Sequence, residues 1–313
     1  MPIVDINGNI VDDGGGSSDF NVSDYSVFDD GTKEKARQAV LIYKGKKLYP
    51  KNMQEQRIDV VKNYNGGVML TLGDSYTAYM NSFFEEFATK HGLVQDNQGL
   101  ASSTIAGFPA DSIGQDGQIG YKPFWGRLDK DIAEYETGKV IKGKTYQFAD
   151  VKLITFMGGA NDWSTVDKTT DRLGKGANET DKAKLYGALN YIFTKLLEKF
   201  PNADIVVILQ PLNYASKVPS SEETAKSLGF ENLAQVQKMT DAEFSCYMMA
   251  RKEVIVREMA ERYSLHICDC CFDWFNPINM IDAKKYWQPD KLHLSTEGHQ
   301  KIIDKLEKTV DNL

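Results

Sequence analysis

The sequence predicts an α/β fold: a mostly parallel sheet with helices packed on both faces, in three layers. Three observations carry that expectation. Short apolar runs recur at Val68-Met69-Leu70-Thr71-Leu72, at residues 151–157, at residues 204–209 and at residues 264–269. Helical patterns of 15–20 residues fall between them, long enough to cross over from one parallel strand to the next. Two of the runs end in glycine followed by polar residues, Gly73-Asp74-Ser75 and Gly158-Gly159-Ala160-Asn161-Asp162. Both polar groups therefore fall past the C-terminal ends of strands, where open α/β sheets place their sites.

In chain order, residues 1–32 hold seven Asp with no Lys or Arg, and are rich in Gly and Ser. They cannot bury enough surface to offset the entropy of ordering, so an acidic, disordered tail is expected. Residues 33–66 contain one apolar run, Ala39-Val40-Leu41-Ile42-Tyr43, a basic turn Lys44-Gly45-Lys46-Lys47, and then Leu48-Tyr49-Pro50. A small hairpin or adaptor fits them. The main domain is expected over 67–313. It opens with the strand 68–72 and a helix from Tyr76 to His91, followed by the strand 151–157. The next helix, Asp181 to Phe200, carries Leu185, Leu189, Ile192, Phe193, Leu196 and Leu197 on one face. Pro201-Asn202-Ala203 stops it before the strand 204–209. A long helix over 241–263, a strand over 264–269 and a closing helix over 295–310, begun at Ser295, complete the pattern.

Composition narrows the partners. The chain of 313 residues has a formal charge of −7, all of it contributed by residues 1–32; the remainder holds 37 acidic and 37 basic groups. A balanced body offers no electrostatic footprint for nucleic acid. No apolar stretch approaches a membrane span, and the N-terminus lacks the basic start and apolar run of a secretory signal. These features point to a cytoplasmic location or non-classical export. The cysteines are Cys246, Cys268, Cys270 and Cys271, three of them too close together for a disulfide framework, so reduced thiols are expected. The cluster His266-x-Cys268-x-Cys270-Cys271 lacks the paired spacing of structural zinc sites and reads as a buried strand.

The polar groups at the strand ends carry the chemistry. Ser75 sits where a strand turns into a helix, its hydroxyl above the sheet edge and its N–H at a helix start that favours negative charge. Asp290 and His293 lie three apart after Pro289. At that spacing the carboxylate can accept from one imidazole nitrogen, leaving the other to take a proton from Ser75. Asn161 offers a side-chain amide that can donate to an oxyanion. A nucleophile, a base already joined to its carboxylate and an oxyanion donor together specify acyl transfer through serine. Neither the G-x-S-x-G elbow nor a G-x-G-x-x-G loop is present at the first strand end. Trp163, Tyr76 and Asp162, the immediate neighbours of these groups, are the candidate substrate-binding residues.

From about Gly67 to Leu313 the chain resembles the SGNH family of GDSL-type hydrolases. Gly73-Asp74-Ser75 matches the family's nucleophile block, Gly159-x-Asn161-Asp162 its G-x-N-D block and Asp290-x-x-His293 its closing block. The remaining block, N-x-x-x-x-G, is matched by Asn97 to Ser102, with Ser102 standing where glycine is expected. The resemblance implies a flavodoxin-like, five-stranded sheet and serine esterase or lipase activity. It implies a triad of Ser75, His293 and Asp290, an oxyanion hole of the Ser75 and Ser102 N–H groups with the Asn161 amide, and no metal or organic cofactor. The aromatic and polar loops, which include Phe108, Tyr121, Phe124 and Trp125, favour O-deacetylation of a carbohydrate. The alternatives are a lipase or lysophospholipase, an acyltransferase to sugar hydroxyls, and a phage-tail-like, virion-associated component assembled through residues 1–66.

Overall fold

In the computed structural model the described residues are 41–43, 46–48, 62–107, 123–162, 173–213, 215–271 and 283–313. Two compact units divide the chain, residues 1–60 and 61–313. In the first, β1 (Leu41–Tyr43) and β2 (Lys46–Leu48) pair antiparallel.

The second unit is a three-layer α/β/α sandwich. Its sheet comprises β3 (Val68–Gly73), β4 (Val94–Gly99), β7 (Val151–Met157), β8 (Asp204–Leu209) and β9 (His266–Asp269), in the order β4-β3-β7-β8-β9. Every pairing in it is parallel. A short hairpin, β5 (Lys139–Ile141) with β6 (Lys144–Tyr146), stands apart from the sheet. The unit begins before Gly67 because Lys62 and Tyr64 bind the Asp204 carboxylate, at 2.6 and 2.9 Å, and the Lys62 N–H binds Asp311.

Strand alternation distributes the core to both faces. Val68, Leu70, Leu72, Ile154, Phe156, Ile205, Val207 and Leu209 face one layer; Met69, Leu153, Met157, Val206 and Ile208 face the other. On the first face lie α3 (Phe124–Thr137), α4 (Leu185–Lys199) and α7 (Asp241–Arg262). On the second lie α2 (Asn81–Lys90) and, after the short α8 (Ala283–Tyr286), α9 (Thr296–Val310), through Phe84, Phe87, Ile302, Ile303 and Leu306. In α4, Leu185, Leu189, Ile192, Phe193 and Leu196 are buried, each contributing about 1.5–3 kcal/mol. Leu197 is instead 40% exposed, because it sits a further 100° round the helix, past the edge of the buried stripe.

The segment expected as one helix from Tyr76 to His91 is two: α1 (Ser75–Tyr79) and α2, broken at the buried Met80, whose ψ of 13° leaves the helical range. The polar excursion after β8 holds α5 (Glu222–Ser227) and α6 (Leu233–Val236) over a small core of its own, with Leu228, Phe230, Phe244 and Met248. Helix ends follow local chemistry: Thr240 and Glu243 form a reciprocal capping box on α7, and the Ser295 hydroxyl accepts the Gly298 N–H on α9.

Candidate active site

Ser75 is the first residue of α1, directly beyond the end of β3. Gly73 permits that turn: a Cβ there would lie 1.8 Å from the Thr77 hydroxyl and 2.6 Å from the Met157 carbonyl. Asp74 caps the helix and is fully buried. Its Oδ1 accepts the Tyr76 N–H at 2.9 Å, and its Oδ2 accepts the Ala160 N–H at 3.3 Å and Gln210 Nε2 at 2.9 Å. Burial raises the Asp74 pKa against these three donors, which oppose the rise. One carboxylate thus joins the ends of β3, β7 and β8 under the Ser75 hydroxyl.

Asp290 and His293 share a tight turn in which Lys291 takes a left-handed φ of 60°. Asp290 Oδ1 accepts the N–H groups of Leu292 and His293, both at 2.9 Å, which points its Oδ2 at the ring. Oδ2 meets His293 Nδ1 at 2.6 Å, and His293 Nε2 lies 3.0 Å from Ser75 Oγ. Partial burial pushes the Asp290 pKa up, but the bonds from the His293 ring and the two N–H groups outweigh it and leave the pKa below its ordinary value. Asp290 is therefore a charged partner that fixes the ring, and the other ring nitrogen faces the serine. Tyr79, half exposed on α1, sets its ring edge-on to His293 with centroids 4.7 Å apart.

Ser102 adopts a left-handed φ of 62°, the conformation glycine takes without steric cost. Its neighbours hold that turn. The Ser103 hydroxyl donates to the Leu100 carbonyl at 2.7 Å, and Asn161 Nδ2 donates to the Ser103 carbonyl at 2.9 Å. The Asn161 side chain and the Ser102-Ser103 backbone thus form one hydrogen-bonded unit. Beneath it, the buried Arg127 of α3 donates to the Gly73 carbonyl at 2.8 Å, to Ser103 Oγ at 3.2 Å and to the Gln98 carbonyl. Burial lowers its pKa to about 10, against the carboxylates of Asp131 and Asp74.

Two residues expected to touch substrate do other work. Tyr76 is 1% exposed, and its hydroxyl donates to the Leu292 carbonyl, bracing the turn that carries His293. Asp162 is buried and accepts the Ile105 and Ala106 N–H groups at 2.9 and 2.8 Å, so it anchors the chain after Ser102. Burial raises its pKa to about 6 in spite of those bonds. Phe124 and Trp125 pack the interior layer, Phe124 edge-on to Phe156, and Trp125 Nε1 donates to the Gly107 carbonyl. Trp163, Phe108 and Tyr121 lie outside the described residues.

Arg127, Gln210, Lys252 and Glu253 have no counterpart in the short motifs. A signal for the last two exists: Met249, Lys252, Glu253, Val256 and Ala260 share one helical face, which places a charged pair on the buried side of α7. Among the described residues no group of three or more His, Cys, Asp or Glu could hold a metal ion, and His266 is exposed while Cys268, Cys270 and Cys271 are buried. Among those residues no helix is long and apolar enough to cross a membrane.

Residues 71–301 match the GDSL-like lipase/acylhydrolase family. No curated protein matches the chain. Among solved structures, the chain is similar to a protein from Lactobacillus plantarum (20% identity, 79% of this chain and 97% of that one, TM-score 0.49). It is also similar to a lipase/acylhydrolase from Enterococcus faecalis (12% identity, 79% and 96%, TM-score 0.44). A third similar structure is an acetylxylan esterase from Geobacillus stearothermophilus (15% identity, 80% and 95%, TM-score 0.41). The family match spans most of the chain and contains all four motif blocks, so the chain belongs to the GDSL-like lipase/acylhydrolase family and is a carboxylic ester hydrolase.

Proposed function

We propose that Ser75 is the nucleophile of a hydrolase acting on small acyl esters, with O-acetylated carbohydrate as the substrate class. The observation that carries the catalytic assignment is the unbroken hydrogen-bond chain from Asp290 through His293 to Ser75. His293 takes the Ser75 proton as Oγ attacks the ester carbonyl, then gives it to the leaving alcohol. Water repeats the sequence on the acyl-enzyme and releases the acid. The N–H groups of Ser75 and Ser102 and the Asn161 amide receive the oxyanion, at roughly 3–4 kcal/mol per donor.

One feature supports a sugar alcohol over a lipid. The leaving group must reach His293 Nε2 for its proton, and the half-exposed ring of Tyr79 stands beside that imidazole as a stacking face. The test compares p-nitrophenyl acetate, butyrate and octanoate and measures acetate released from an acetylated oligosaccharide. The expected result is an acetate preference together with acetate release from the sugar. A preference for octanoate would replace this reading with a lipase.

The oxyanion assignment has its own test. Ser102→Gly is expected to keep kcat/KM for p-nitrophenyl acetate within about threefold, since glycine accepts the left-handed turn. Ser102→Val forces a β-branched residue into that region at about 1–3 kcal/mol and is expected to lower kcat/KM by roughly tenfold or more. Equal activity in both variants would remove Ser102 from the oxyanion hole.

A further inference from the structure

Glu253 of α7 is fully buried beneath the ends of β7 and β8. Its Oε2 accepts the Gln210 N–H at 3.0 Å, whereas its Oε1 is buried without a hydrogen-bond partner. The Gln210 side chain presents the same imbalance. Its Nε2 donates to Asp74 Oδ2, and its Oε1 is buried without a partner. A Cβ placed on Gly159 would lie 3.8 Å from Glu253 Oε1 and 3.9 Å from Gln210 Oε1, so the two oxygens line one small space. Turning the Gln210 amide over would set its oxygen against Asp74 Oδ2. The unmatched acceptors therefore belong to the site and call for a donor between them. A protonated carboxyl supplies one.

The charges nearby select Glu253 for that proton. Asp74 faces it from the end of β3, Tyr76 from α1, Asp269 and Cys271 from the end of β9, and Lys252 adjoins it on α7. Asp269 is paired with Arg257. Asp74 has three N–H donors and Asp162 has two, so both are built to accept as anions. Glu253 has one donor, and its other oxygen borders Gly159 together with Gln210 Oε1. Lys252 turns its ammonium to the Gly159 carbonyl and to Met249 Sδ.

We propose that Glu253 is a positioning residue held neutral, donating a proton from Oε1 to Gln210 Oε1 so that Gln210 stays fixed on Asp74 beneath Ser75. The relay runs from α7 through β8 to the nucleophile turn, and its catalytic consequence rests on the assignment of Ser75 above. The electrostatics agree with the geometry: burial drives the Glu253 carboxyl up to about 8, against the opposing pull of Lys252 and the Gln210 N–H. Ionisation above that point would place a charge against Gln210 Oε1 and loosen the hold on Asp74.

The sign of the stability effect follows. A carboxyl raised on folding keeps a proton that the unfolded chain gives up, so its contribution to stability falls as pH rises from about 4.5 to about 8. Gln cannot titrate and keeps both contacts, accepting from the Gln210 N–H and donating to Gln210 Oε1. Lys252, lowered by burial to about 8, acts in the opposite sense above that pH, so the comparison is confined to pH 5–8.

The experiment uses the full chain and Glu253→Gln. The thermal midpoint of the variant minus that of the wild type is expected to increase from pH 5 to pH 8. Its kcat/KM for p-nitrophenyl acetate is expected to stay within about threefold of wild type at pH 6.5 and to persist above pH 8, where the wild type declines. A midpoint difference that stays flat or turns against the variant as pH rises would overturn the proposal. So would a hundredfold loss of activity at pH 6.5 in the folded variant. Should the variant not fold, the infrared spectrum of the wild type decides: a buried carboxylic-acid C=O band at pH 6.5 that disappears by pH 9 supports the neutral Glu253, and its absence at pH 6.5 refutes it. The midpoint and infrared readouts need no esterase activity, so they stand even if Ser75 proves not to be the nucleophile.

Discussion

Ser75→Ala is expected to lower kcat/KM for p-nitrophenyl acetate by roughly a thousandfold or more while leaving the thermal midpoint near that of the wild type. The size follows from the proposed mechanism: without Oγ no acyl-enzyme forms, and only binding and oxyanion stabilisation remain. The fold is spared because the turn is held by Asp74, Gly73 and backbone N–H groups, while the Ser75 hydroxyl meets His293 Nε2. His293→Ala is expected to match the loss, and the double variant to be little worse than either single one, since the residues act as a unit. Asp290→Asn should lose less, as the amide oxygen can still accept from the ring. Asp290 stays a charged partner of the ring, because three N–H donors outweigh its partial burial and lower its pKa.

Arg127→Met is expected to cost about 3 kcal/mol of stability and to reduce activity in the part that remains folded. Methionine fills most of the volume but leaves the Gln98 carbonyl, on the edge strand β4, without its guanidinium donor. It also removes the bond to Ser103 Oγ, which ties α3 to the turn carrying Ser102. Arg127→Lys should recover only part of the loss, because one ammonium cannot span the three acceptors that the planar guanidinium reaches. Chemical denaturation with a parallel esterase assay reads both effects. A variant as stable and as active as wild type would show that Arg127 is a passive space-filler.

Much of this architecture was legible because its determinants are local. The strands 151–157 and 204–209 are apolar enough to be buried on both faces, and the structure places them at those bounds. The Asp290 to His293 turn was legible because a carboxylate and an imidazole three apart can meet without help from the rest of the chain. What escaped depends on distant backbone. Tyr76 reads as a site aromatic until the Leu292 carbonyl, more than two hundred residues on, claims its hydroxyl. Asp162 reads as a substrate-binding acid until the Ile105 and Ala106 N–H groups converge on it. Lys252 and Glu253 belong to no short motif, and only the apolar spacing around them puts both on the inner face of α7. Ser102 stood at a position where glycine was expected, and its left-handed turn satisfies the backbone requirement that glycine usually meets.

The most direct test of the central claim is covalent trapping of the nucleophile. The wild-type chain, treated with a fluorophosphonate and digested, should carry one adduct, located by mass spectrometry on Ser75. His293→Ala should label far more slowly, because the hydroxyl lacks its base at 3.0 Å. An adduct on a different residue, or none on a folded chain that still hydrolyses p-nitrophenyl acetate, would contradict the serine mechanism.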